Sequence, residues 1–198
     1  MKKFFADIIL ISIIYTLAYC IQVYVLVPFN SHERVSIFFF PAAVRLMCTL
    51  IYGYRAGIGI ALGAEAFYHL FDDTGLDNET EYILVAASSG LACALALLVW
   101  AGFSKKVLGI RNPKVAFKSI NALDVFQFCL IQAIIDTVIS HTVFILYPNI
   151  MPDQSFYWMV MTFVGNLTGA YLAFISLNLM YSLGKRLIFF IGDHRDKS

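Results

Sequence analysis

Six polar side chains stand inside apolar runs of this sequence: Arg45, Glu65, His69, Asp136, His141 and Asn166. Their types allow three kinds of chemistry. An arginine beside a carboxylate forms an ion pair or grips an anionic group. A glutamate and a histidine four residues apart share one helical face and can pass a proton between them. Histidine is also the side chain whose ordinary charge change falls near neutral pH. An asparagine in lipid needs hydrogen-bond partners, and Asn166 and Asn178 both stand on the last apolar run.

These groups are costly where they stand. A charge near the bilayer centre costs about 2.5–3.5 kcal/mol on insertion scales, so such groups face the bundle interior, pair, and mark sites. Counting from the interfaces puts Arg45, Glu65 and Asp136 near mid-membrane, with His69 and His141 nearer the outer side and Asn166 deep enough to reach the centre. Depth allows Arg45 to pair with Glu65 or with Asp136, and the sequence leaves both open. Two outcomes compete. The ion pair only neutralises itself and sets helix register, or these residues form a polar pocket that binds a small ligand or senses protonation. The predicted ligand-binding residues are Arg45, Glu65, His69, Asp136, His141 and Asn166.

That placement rests on membrane spans. The 198 residues are 60% hydrophobic and 14% charged, with a mean hydropathy of +0.77. Soluble domains carry about a quarter charged residues, and so short a chain has too little interior to hide this much Phe, Ile and Leu. The expected fold class is an all-α integral membrane protein. A span needs about 20 apolar residues. The runs predict a six-transmembrane helix bundle, with spans at 4–29, 35–52, 56–71, 82–103, 123–147 and 156–183 and a tail over 184–198. The whole chain, 1–198, is read as one polytopic domain. Past Gly184 the residues suggest a short interfacial helix. The start resembles a signal peptide, but its apolar run continues to Phe29, and the reading is an uncleaved first helix.

Charge sets the orientation. Of 14 Lys and Arg, twelve fall to one side: Lys2, Lys3, Arg55, Lys105, Lys106, Arg111, Lys114, Lys118, Lys185, Arg186, Arg195 and Lys197. Only Arg34 falls to the other side, and Arg45 lies between. This positive-inside pattern predicts that both termini of a multi-pass membrane protein are cytoplasmic. The net charge of +1 implies no nucleic-acid partner. The basic loop from Ser104 to Asp124 fits lipid headgroups or a partner protein.

The second and third spans are short, interrupted by Pro41 and joined at Gly53, as at many binding sites in membrane bundles. Pro41 either sits in the first turn of its helix or breaks a helix already formed at Ile37. Small residues recur four apart at Gly59 and Gly63, at Ser88, Ala92 and Ala96, and at Gly165, Gly169 and Ala173. Such rows let backbones approach closely, within the chain or in a homo-oligomer. Cys20, Cys48, Cys93 and Cys129 lie in apolar runs without C-x-x-C spacing and read as buried small side chains. No G-x-S-x-G, H-E-x-x-H or phosphate-binding glycine loop occurs, so neither an enzyme nor a metal or other cofactor is expected.

The segment "FFFPAAVRLMCTLIYGYRAGIGIALGAEAF" resembles the early part of the bacterial MASE1 membrane sensor domains. There an apolar-Pro-Ala stretch leads into a short helix, a Gly-aromatic turn and a Gly-containing helix. "LDVFQFCLIQAIIDTVISHTVFILYP" and "FYWMVMTFVGNLTGAYLAFISLNLM" are similar to later helices of that family, with Gly165, Asn166 and Gly169 at its D/N-x-x-G signature. The family generally has about eight spans and an output domain; this chain offers six spans and no such domain. The resemblance implies a free-standing sensing module that hands its signal to a partner protein. Size and six spans also resemble the substrate-binding subunits of energy-coupling-factor vitamin transporters, which implies small-molecule capture or transport as the alternative.

Overall fold

The computed structural model describes residues 2–26, 30–32, 35–71, 79–104, 122–146 and 156–195. It is built of helices with one short β-hairpin. They run α1 (Lys2–Cys20), a π-helical turn (Ile21–Val25), β1 (Asn30–His32), β2 (Val35–Ser36), α2 (Phe40–Tyr52), α3 (Tyr54–Phe71), α4 (Glu79–Ser104), α5 (Ala122–Leu146) and α6 (Phe156–Arg195). The strands pair antiparallel, Asn30 opposite Ser36. The basic loop over 105–121, the acidic loop over 72–78, Arg34 and the last three residues lie outside the described residues.

Among the described residues, four helices are long and apolar enough to cross a membrane, at Lys3–Val25, Thr80–Phe103, Leu123–Val143 and Phe156–Ser176. This chain is therefore a membrane protein. Two of the six expected spans differ from that pattern. With 13 residues, α2 is only about 20 Å long, and the 18-residue α3 is about 27 Å, against a hydrocarbon core of about 30 Å. The predicted second span starts later than the apolar run because Val35–Ser36 is extended and Phe39 is the extended residue before the helix. Pro41 thus lies in the first turn of α2, where its missing N–H costs no helical hydrogen bond. At the far end, α6 runs unbroken to Arg195, so the separate interfacial helix expected past Gly184 is a continuation of the same helix.

Neighbours in space close a ring: α1 packs on α3, α3 on α4, α4 on α5, α5 on α6, α6 on α2 and α2 on α1. Within it α2 is the most enclosed element, with eight of its 13 residues buried, Arg45 among them. Its length follows from that position. A helix covered by neighbours has no need to match the bilayer. It ends at Gly53, whose φ of 61° suits a residue without a Cβ. The Gly53 N–H donates to the Thr49 carbonyl at 2.9 Å, and α3 turns back at once.

Two apolar clusters fill the interior. Leu46, Leu50, Trp100 and Phe128 pack where α2, α4 and α5 meet, with the Trp100 and Phe128 rings edge to face at 6.1 Å. Ile11, Tyr15, Ile60, Phe67 and Cys93 join α1, α3 and α4. Gly59 and Gly63 lie against α1: a Cβ on Gly63 would sit 2.6 Å from the Ser12 carbonyl oxygen. That glycine row serves packing inside the chain. Cys48, Cys93 and Cys129 are buried and Cys20 is half-buried, all as free thiols.

Candidate functional site

Arg45 lies in the second turn of α2 and points across the bundle to α5, where its Nη1 pairs with Asp136 Oδ1. Of the two partners that depth allowed, the structure selects Asp136. The other face of the guanidinium is held by α1: Nε and Nη2 donate to the Tyr15 hydroxyl at 3.3 and 3.0 Å. The rings of Tyr15 and Phe39 lie 6.0 and 5.9 Å from its central carbon, where a cation is attracted to an aromatic face. Asn166 on α6 completes the group, its Nδ2 donating to Asp136 Oδ2 at 2.7 Å. Arg45, Asp136 and Asn166 are 2%, 4% and 4% exposed. Four helices thus meet on one charge-neutral cluster.

Removing two charges from water is expensive, and a buried pair repays it only when further hydrogen bonds satisfy both partners. Tyr15 does so for the arginine and Asn166 for the aspartate. Asn166 Oδ1, however, is buried without a hydrogen-bond partner, as is Gln132 Oε1 nearby on α5.

Above the cluster is a cavity of about 130 Å³. Arg45, Asp136 and Asn166 form its floor. Ser88 and Ser89 on α4, Ser140 on α5, Thr162 on α6 and Tyr68 on α3 supply polar walls, and Tyr19 and Phe39 apolar ones. It lies toward the end of the bundle that carries the hairpin, the C-terminus of α3 and the N-terminus of α6. Below the cluster is a void of about 10 Å³ bounded by Gln132, Cys129 and Ala133, with Arg45, Asp136 and Asn166 again in contact.

Residues 36–40 cover one side of the cavity, pinned from two helices. Gln22 Nε2 donates to Ser36 Oγ at 3.1 Å, and Gln22 Oε1 accepts the Phe40 N–H at 2.7 Å. That side chain from the π-helical turn caps α2, whose own preceding residue has no capping group. On α6 the Gly165 carbonyl accepts the Phe39 N–H at 3.1 Å, and the Thr168 hydroxyl donates to the Ile37 carbonyl at 2.6 Å. A Cβ on Gly165 would collide with the Ser36 carbonyl oxygen, and one on Gly169 with that of Phe39. This second glycine row makes room for the segment rather than for another chain.

The remaining predicted residues lie elsewhere. Glu65 and His69 do meet as their spacing requires, Oε1 to Nε2 at 2.9 Å. Yet they line neither cavity, and His69 stacks on Tyr82 at 5.3 Å near the end of α3. His141, beyond Ser140 on α5, is half-buried and also absent from the walls. The pocket expected around Arg45, Glu65, His69 and Asp136 is thus divided. A helix face turns by about 100° per residue, so a depth count cannot reveal which residues point inward. Asn178 is in α6, and its side chain lies outside the described residues.

Tyr15, Gln22, Ser36 and Gln132 escaped the sequence reading. Tyr15 on α1 and Gln22 in the π-helical turn that follows it are both polar groups in an apolar run, the signal that drew attention to Asn166. Among the described residues no group of three or more His, Cys, Asp or Glu converges to hold a metal ion. No family model, no curated protein and no solved structure matches this chain.

Proposed function

We propose that this chain is a non-enzymatic sensing module of a bacterial plasma membrane that binds a small ligand and signals to a partner protein. In this reading all six helices cross or enter the bilayer, both termini are cytoplasmic, and the hairpin end of the cavity is the outer side. The observation that carries it is the cavity of about 130 Å³ floored by the buried Arg45–Asp136–Asn166 cluster. A pair needed only for helix register would pack best without space beside it. Ligand binding is favoured over proton sensing because no histidine is among the described residues that line the cavity. The resemblance to MASE1 domains supports a sensory role, with the basic loop and tail as the route to the partner.

Native mass spectrometry of the full chain from membranes tests this reading. A retained small molecule, one per chain, is the expected result. An empty protein that stays empty on exposure to membrane-permeable extracts overturns it.

A second reading, substrate capture or transport, draws on the void below the ion pair, which gives the polar group free volume on both sides. Reconstituted vesicles distinguish the two. A transporter moves labelled solute across the vesicle wall, and a sensor binds it without flux.

A further inference from the structure

We infer that the ligand of the upper cavity is a small uncharged molecule of roughly six non-hydrogen atoms that offers N–H or O–H donors. This deepens the reading above and rests on it.

Charge comes first. Among the described residues lining the cavity, Arg45 and Asp136 are the two charged ones, and they cancel one another directly. Three of the five guanidinium N–H donors are committed, two to Tyr15 and one to Asp136. A monoanion seated here would have to displace Asp136 or lie beside it, leaving a net negative charge against a floor whose three residues are 2–4% exposed. A cation meets the converse difficulty at Arg45. A zwitterion would have to open the pair at both ends. Each arrangement leaves a buried charge less well compensated than in the closed pair.

Hydrogen-bond polarity comes second. Ionised Asp136 only accepts, so the Asn166 amide must present its nitrogen to that carboxylate, and Oδ1 is forced to point away. The amide orientation is therefore set by chemistry. Oδ1 is a buried acceptor without a partner on a residue that lines the cavity, and a ligand donor that draws it toward the cavity would satisfy it. The lower void of about 10 Å³ has room for one water, so anything larger reaches Asn166 from above. Hydroxyls of Ser140 and Thr162 on the walls suit further donors or acceptors.

Size comes third. A cavity of about 150 Å³ accepts one benzene, and this one is slightly smaller at about 130 Å³. Small polyols and small amides meet all three conditions.

The test is equilibrium dialysis of the full chain in lipid nanodiscs against labelled glycerol, urea, acetate and glycine. The expected result is one-per-chain binding of glycerol or urea at least tenfold tighter than of acetate or glycine. Asn166→Leu should weaken it tenfold or more, with the melting transition retained. If that variant does not fold, Thr162→Val and Ser140→Ala, one turn from Asn166 and Asp136 on the same helices, should each weaken binding about threefold. Tighter binding of acetate or glycine, abolished by Asn166→Leu, overturns this inference and leaves the pocket reading intact. If none of the four binds, the molecule retained in native mass spectrometry decides: an uncharged donor supports the inference and a charged one overturns it. An empty pocket in both measurements removes the pocket reading as well.

Discussion

Arg45 on α2 and Asp136 on α5 form an ion pair at 2% and 4% exposure, and each is braced by a neutral side chain from another helix. Tyr15 holds the cation and Asn166 the anion. The pair therefore ties α1, α2, α5 and α6 together, and its energetics can be tested by breaking one half at a time.

Removing one partner strands the other. Arg45→Ala or Asp136→Ala should lower stability by about 3–5 kcal/mol, the usual cost of an uncompensated buried charge. The double variant Arg45→Met, Asp136→Leu should recover most of that loss, because apolar replacements of similar volume remove both desolvation costs. Thermal melting of the purified protein checks the order. If the pocket is functional, the double variant folds and no longer retains ligand.

The cap on α2 comes from another helix. Gln22→Leu removes the acceptor of the Phe40 N–H and the donor to Ser36 Oγ. The expected loss is about 1–3 kcal/mol, the cost of leaving buried polar groups unmade. Gln22→Glu keeps the acceptor but buries a carboxylate on a residue that is 4% exposed, so it should not recover that loss at neutral pH. Backbone amide exchange at Phe40 would show the fraying directly.

Two glycine rows make opposite predictions about oligomers from those of a dimer motif. Gly63→Leu drives a side chain into the backbone of α1 at Ser12, and Gly165→Leu drives one into the Ser36 carbonyl. Both should destabilise the monomeric fold, by at least the 1–3 kcal/mol or so typical of overpacking. Oligomeric state measured by light scattering should not change.

Buried thiols should be silent. Cys48, Cys93 and Cys129 are buried, so a maleimide should leave them unmodified in the folded protein and modify them after denaturation. Mass spectrometry of the labelled chain counts the adducts.

Orientation can be read from single cysteines in a background without the native ones. Lys3→Cys and Lys197→Cys should resist a membrane-impermeant reagent in intact cells, and Asn78→Cys should react. The reverse pattern overturns cytoplasmic termini.

Composition and charge determined much of this protein by themselves. Apolar runs at 3–25, 80–103, 123–143 and 156–176 are long and apolar enough to cross a bilayer, so lipid is their natural solvent and the helices follow. The Glu65–His69 contact was equally legible, because four residues along a helix return to one face. Tertiary structure decided the rest. Depth along a span follows from counting, but direction around it depends on which neighbour the helix packs against. Arg45 could reach two acids by depth, and the ring of helices turned α2 toward Asp136 while carrying Glu65 and His69 to another face. The same ring brought Tyr15 and Asn166 onto one buried cluster and Gln22 onto the start of α2. A side chain's partner is a property of the packing, and no spacing within one helix encodes it.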